Sequence, residues 1–213
     1  VAEGKKGRVY LSPTDEMRSI ASKEKSPWRP TQALPNDPRN FWTLNYGLSK
    51  FCDLFTERQL ITLTTLSDLV LEAREFVHLD IDKLNNKKSV LGIDDAQAYS
   101  DAVALYLAFA VNLLLDDLVT LATWRSTHGT GAMGHAFARQ TVPMTWDFPE
   151  ANPFASAAGD IENSLHSVAM CLDALPAIVP GDALLMDATT TWNEKLLNQI
   201  ISTDPPYYDN ISY

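Results

Sequence analysis

Cysteine is nearly missing from this chain: Cys52 and Cys171 stand far apart, each without a second cysteine nearby. That excludes a disulfide framework and a zinc ribbon within these residues, and both are expected to be small buried side chains. Histidine is scarce too. His78, His128, His135 and His166 show no His-Glu-x-x-His spacing, so no metal site is expected. Long apolar runs are also lacking. The longest, Ala102 to Leu115, is interrupted by Asn112 and closed by Asp116-Asp117, which suits a buried core helix better than a membrane span. The N-terminus lacks the charged-then-apolar pattern of a secretory signal, so a soluble, cytoplasmic protein without a membrane partner is expected. Positive charge is in short supply, 17 Lys and Arg against 27 Asp and Glu, for a net charge of −10. Phosphate contacts need cations, so this balance argues against a stand-alone nucleic-acid binder. The shortage is uneven, however. Residues 1–40 hold eight basic residues against five acidic, a net of +3 that leaves −13 for the remainder. If DNA is touched here, this arm is the candidate; the alternative is a solvated terminal segment.

What is present fits a globular protein with one large domain or two small ones: 46% of the residues are hydrophobic and 21% charged. Residues 1–40 carry Pro13, Pro27, Pro30, Pro35 and Pro38 and one strand-like run, Arg8-Val9-Tyr10-Leu11, which predicts an extended arm. Thr56-Glu57-Arg58-Gln59 is a capping box, in which the threonine and glutamine side chains satisfy free backbone N–H groups. A helix over 57–78 should follow, with Leu60, Leu63, Leu66, Val70, Ala73 and Phe76 or Val77 on one face. Lys83 to Gly92 reads as a polar connector. A second helix is predicted from Asp94 or Asp95 to about Arg125, apolar nearly all round, so the first helix and another near 157–175 should cover it. Prolines at 143, 149 and 153 make 139–154 an irregular, aromatic-rich connector. These segments form a helical bundle-like module over 41–175.

The character changes after Pro176. Apolar Leu184-Leu185-Met186, a helical stretch near Thr191 to Leu197 and strand-like Gln199 to Thr203 follow one another in the rhythm of a strand-helix-strand unit. Two parallel strands alone are not stable, so the rest of the sheet should come from elsewhere, and its exposed edge offers a route to homo-oligomers.

Directly after that last strand stands Asp204-Pro205-Pro206-Tyr207, at the strand end where α/β sheets place their ligands. Such a string arises by chance in a chain of this size on the order of once in a hundred times. The residue types suit methylation of the exocyclic amine of a flipped base. A carboxylate such as Asp204 accepts one amino N–H. Pro205, with no N–H and a fixed φ, presents its carbonyl as a second acceptor. Two acceptors concentrate electron density on the nitrogen, while Tyr207 offers a flat face worth roughly 1–3 kcal/mol of stacking. Tyr208, Asp209 and Asn210 extend the pocket or simply cap the turn. The alternative for the whole string is a rigid Pro-Pro turn. A rival signal, Gly129-Thr130-Gly131-Ala132-Met133-Gly134, matches the dinucleotide G-x-G-x-x-G pattern, yet it follows a predicted helix instead of a strand. It is expected to be a helix-to-loop exit.

These residues resemble the large adenine-specific DNA methylases of bacteria and archaea, a family whose members carry a zinc ribbon elsewhere in the chain. Tyr46 to Leu60 resembles one block of that family. Phe137 to Gln140, Pro143 to Phe148 and Asn152 to Phe154 resemble others, and Thr203 to Ile211 resembles the catalytic block. Only that last block carries a chemical role across: Asp204, Pro205, Pro206 and Tyr207 as catalytic residues. The resemblance spans the whole chain as a middle segment. It implies S-adenosylmethionine as the methyl donor of the full-length enzyme, with DNA and the remainder of the methyltransferase domain as partners. Gly181-Asp182 lies where such enzymes place an acidic residue near the donor's adenine, so Asp182 is a cofactor-side candidate; a simple turn into a strand is the alternative. The glycine-rich donor motif is missing from these residues, so no cofactor is expected to bind this segment and it should be inactive alone.

The expected fold is therefore mainly α: a basic arm (1–40), a helical insertion module (41–175) and a strand-helix-strand remnant (176–213) of an S-adenosylmethionine-dependent α/β methyltransferase fold. The alternative function is a non-catalytic helical interaction or DNA-recognition module.

Overall fold

A computed structural model of the chain describes residues 2–5, 7–23, 25–86, 95–125, 132–138, 141–157 and 159–175, with 185, 187, 200 and 202–204. The chain divides into two compact units, Val1–Ala174 and Leu175–Tyr213. The first is mainly helical.

The arm is not extended throughout. Strands β1 (Ala2–Gly4) and β2 (Gly7–Val9) form an antiparallel hairpin, with Glu3 opposite Arg8. Helix α1 (Asp15–Lys23) follows, in the proline-free interval between Pro13 and Pro27. The Thr14 hydroxyl accepts the Met17 N–H at 3.2 Å, and Asp15 and Glu16 occupy the first turn, where the helix dipole favours negative charge. This local signal outweighs the proline density on which the extended reading rested. After α1, the proline-rich strand of chain lies along residues 49–52. Pro30 and Gln32 accept from Cys52 and Phe51 N–H, and Leu34 N–H donates to Ser49 at 2.8 Å.

Two 3₁₀ turns, Trp42–Tyr46 and Phe51–Leu54, lead into helix α2, Glu57–Asn86. Its capping box forms as expected: Gln59 N–H donates to the Thr56 hydroxyl at 3.2 Å and Thr56 N–H to the Gln59 carbonyl oxygen at 2.9 Å. The helix runs eight residues beyond the predicted end at 78. Ile81 is buried there, and Lys83 pairs with Asp80 one turn earlier, so residues 83–86, taken as the start of a connector, continue the helix; the rest of that connector lies outside the described residues.

Helix α3 covers Ala96–Leu115, capped by Asp95, whose carboxylate accepts the Ala98 N–H at 2.9 Å. As expected, α2 and α4 (Ile161–Ala174) both pack against it. Two expectations fail. The helix stops ten residues before Arg125, because two acids in succession, Asp116 and Asp117, sit badly at the negative end of a helix dipole. Apolar residues continue past that point as turns. Leu118, Val119, Leu121 and Ala122 are all buried, and Thr120 ties the segment down by donating its N–H (2.9 Å) and hydroxyl (2.8 Å) to the Leu54 carbonyl. Nor is α3 the fully covered core helix anticipated. Among the described residues it is long and apolar enough to cross a membrane by length and composition, and only 22% of its apolar window is buried. Cys52 is buried as expected, whereas Cys171 on α4 is exposed.

Strands β3 (Thr123–Arg125) and β4 (Ala132–Gly134) pair antiparallel, Trp124 opposite Met133. The core has two centres. Leu34, Leu54, Val119, Leu121, Ala122 and Ala136 form one; Leu63, Leu114 and Leu118 form the other; Phe55 packs against both. The 141–154 connector is irregular as predicted, joined by a bridge from Val142 to Phe41. Before α4, Gly159 adopts φ +77°, and a β-carbon there would stand 2.6 Å from that of Ala151, so neither backbone nor space admits a larger residue.

Candidate functional site

Of the expected catalytic string only Asp204 is described, exposed and in no helix or strand; Pro205, Pro206, Tyr207 and Asp182 lie outside the described residues. Leu185, Asp187, Ile200, Ser202 and Thr203 are likewise in neither helix nor strand, so the strand expected over 199–203 is not present at its described positions. The helix expected near 191–197 lies outside them.

The glycine pattern at 129–134 can be judged at its end. Ala132–Gly134 is β4, preceded by strand β3, which corrects the expected helix-to-loop exit. A dinucleotide loop opens a helix, whereas here the end of the pattern is itself a strand and the described residues after it, 135–138, are not helical. A β-carbon on Gly134 would lie 2.3 Å from the Thr123 hydroxyl oxygen, so this glycine allows two strands to approach and does not cradle a ligand. The described end of this glycine pattern thus offers no cradle for a methyl donor.

What the fold does bring together are blocks distant in sequence. Tyr46 and Trp146 meet edge to face, ring centroids 4.9 Å apart at 79°. Val142 N–H donates to the Asn40 carbonyl, and the Thr145 hydroxyl to the Leu121 carbonyl at 3.1 Å. Glu150 closes the arrangement: it accepts the Thr56 hydroxyl at 2.6 Å and the guanidinium of Arg58, with Nε at 3.0 Å. Residues 142–150 therefore run along residues 40–58. Beside Glu150 a cavity of about 290 Å³ is lined by Arg58, Gln59, Thr62, Leu118 and 150–153. On the outer side Trp42, Tyr46 and Trp146 remain exposed, Trp146 by 77%. Flat exposed aromatic faces accept nucleobases by stacking, while the pairing of Arg58 with Glu150 and of Arg29 with Glu57 neutralises the nearby guanidinium groups.

The carboxylates of this region are held charged by backbone donors. Burial pushes Asp53 upward, but N–H groups of Lys50 and Ser49, each at 2.9 Å, outweigh it and leave its pKa lowered. Asp160, at the start of α4, is lowered by N–H donation first from Ser156 (2.8 Å) and then from Asn163 and Glu162. Both gain stability from ionisation on folding. Asp117 has the opposite sign: burial first, then the neighbouring Asp116, raise it against the pull of His135. A depressed carboxylate contributes stability fully present above its unfolded pKa of about 3.9 and lost as pH falls through its folded value. Thermal melts should therefore show stability falling below about pH 4, with Asp160→Asn, which still caps the helix, giving a flatter decline. An identical decline in the variant removes Asp160 from this account.

Sequence reasoning missed one cluster. His135 Nδ1 lies 2.6 Å from Asp116 Oδ2, and Asp116 Oδ1 accepts the Phe137 N–H at 2.8 Å, clasping the segment after β4 to the end of α3. Two successive acids where an apolar helix ends were the available signal.

No protein-family model, curated protein or solved structure matches this chain.

Proposed function

We propose that this chain is a piece of a DNA methyltransferase that moves a methyl group from S-adenosylmethionine to the exocyclic amine of a flipped base, adenine N6 above cytosine N4. The observation that carries the reading is the string Asp204-Pro205-Pro206-Tyr207. Asp204 and the Pro205 carbonyl accept the two amino hydrogens, Pro206 fixes the turn, and Tyr207 stacks on the base. Asp182 serves the donor side in the complete enzyme. Apart from Asp182, the roles proposed for this chain lie on the base side.

Support comes from the blocks that resemble the adenine-specific methylases. Tyr46 to Leu60 and Pro143 to Phe148 lean on one another through Tyr46 and Trp146, and Glu150, just past the second block, reaches back to Thr56 and Arg58 in the first. Their co-occurrence thus has a physical reason. DNA and the remainder of the methyltransferase domain are the proposed partners, in the cytoplasm. The exposed Trp42, Tyr46 and Trp146 favour a second reading, a non-catalytic module for interaction or DNA recognition.

Methylation separates the two. A longer chain that includes a donor-binding segment, given S-adenosylmethionine and DNA, should yield N6-methyladenine on digestion and mass spectrometry. The 213 residues alone should show no heat of donor binding in calorimetry. Unmodified DNA from a longer chain that binds both ligands leaves only the interaction module.

A further inference from the structure

Two apolar surfaces within Val1–Ala174 are left uncovered. Leu105, Phe109 and Leu113, four residues apart, lie along one line of α3 and are each about half exposed, although α2 and α4 pack on its other sides. Asp101 is the single charged residue of α3, and it is already engaged by Arg74 and Gln97. The ends of the helix are acidic, with Asp95 at its start and Asp116 and Asp117 after its last turn.

Helix α1 has the matching need. It is nine residues long with no buried side chain, and Met17 and Ile20 stand exposed on one face. A helix shorter than about 12–15 residues is marginal in water on its own, so the stability of α1 depends on packing that face. At a rise of about 1.5 Å per residue α1 spans roughly 13 Å, and the Leu105–Leu113 stripe roughly 12 Å. Charge agrees as well. The arm of 1–40 carries a net +3 against −13 for the rest; within it α1 is neutral, its acids Asp15 and Glu16 at the start offset by Arg18 and Lys23.

The base of the arm is anchored. Ser26 N–H donates to Glu57 at 3.2 Å, Arg29 pairs with Glu57, and Trp28 lines a cavity of about 580 Å³ together with Ala108, Val111 and Asn112 of α3. Helix α1 precedes that anchor, and in its own chain it remains uncovered.

We propose that α1 of one copy docks across the Leu105–Phe109–Leu113 stripe of a second copy of this chain, and reciprocally, as an arm-exchanged dimer. A two-fold exchange buries both arms and both stripes in a closed assembly. It covers the apolar surface without bringing the acidic bodies together face to face, since α1, whose charges cancel, lies between them. The inference is independent of the methyltransferase reading.

Sedimentation velocity on the whole chain tests it. At roughly 100 µM the wild type should sediment as a dimer, twice 23.6 kDa. Ile20→Asp and Phe109→Asp should each be monomeric, with α2 to α4 intact by circular dichroism and a loss of helix signal no greater than the nine residues of α1. Mixed in equal amounts they should recover a dimer, since one copy keeps its stripe, the other its arm, and one of the two contacts is intact. If Phe109→Asp perturbs the fold, Leu105→Lys replaces it. A monomeric wild type overturns the proposal. So does a dimer that survives Ile20→Asp, which would mean that the stripes pair directly, or a mixture that stays monomeric.

Discussion

Asp204→Ala, placed in a longer chain that holds the methyl donor, is expected to lower kcat/KM for DNA methylation by about 10²- to 10³-fold, the range found when one prearranged hydrogen-bond partner of a developing charge is removed. The amine nitrogen of a base is a poor nucleophile because its lone pair is shared with the ring. An acceptor that draws on one N–H makes that pair available as the nitrogen becomes positive. Alanine removes the acceptor while Pro205 still presents its carbonyl, so residual activity is expected above background. Asp204→Asn keeps an oxygen but not the charge and should fall between the two. Asp204 is exposed and belongs to no helix or strand, so melting temperature and circular dichroism should be unchanged, and the loss is chemical. An alanine variant within tenfold of wild type would falsify a catalytic role for the motif and leave a Pro-Pro turn.

How far the fold was legible depends on how local each determinant is. The Thr56–Gln59 box lies within four residues, and it forms as read. The α1 cap at Thr14 is equally local but was submerged in a 40-residue average dominated by prolines. The end of α3 could not be read from apolar periodicity, because Leu118 to Ala122 are buried whether helical or turned. What decides is Thr120 bonding to Leu54, 66 residues away. The exposure of Leu105 and Phe109 is invisible for the same reason: hydrophobic residues announce a need for cover, not what supplies it. At the proposed site, the base chemistry assigned to Asp204 rests on residue types alone. The pairing of Tyr46 with Trp146 and of His135 with Asp116 is contact between distant segments, and no spacing rule anticipates either.

The neighbours Leu113 and Leu114 turn that distinction into a measurement. Leu114 is 0% exposed, packed with Leu63 and Leu118, whereas Leu113 is 49% exposed on the outer stripe. Leu114→Ala should destabilise the fold by about 2–5 kcal/mol, the sum of lost apolar transfer and the cavity left where helices cannot collapse. Leu113→Ala removes the same atoms from a surface already half in water and should change monomer stability by no more than about 0.5 kcal/mol. Urea melts at low protein concentration compare the two without contribution from association. Raising the concentration should then expose a second difference. Leu113→Ala weakens the docking of a neighbour's α1 and so loses the concentration-dependent gain in melting temperature that an arm-exchanged dimer confers on the wild type, since binding to the folded state stabilises it by mass action. Equal destabilisation by the two alanines at low concentration would mean that the stripe is already covered in the monomer, and the reason for an exchanged arm would disappear with it.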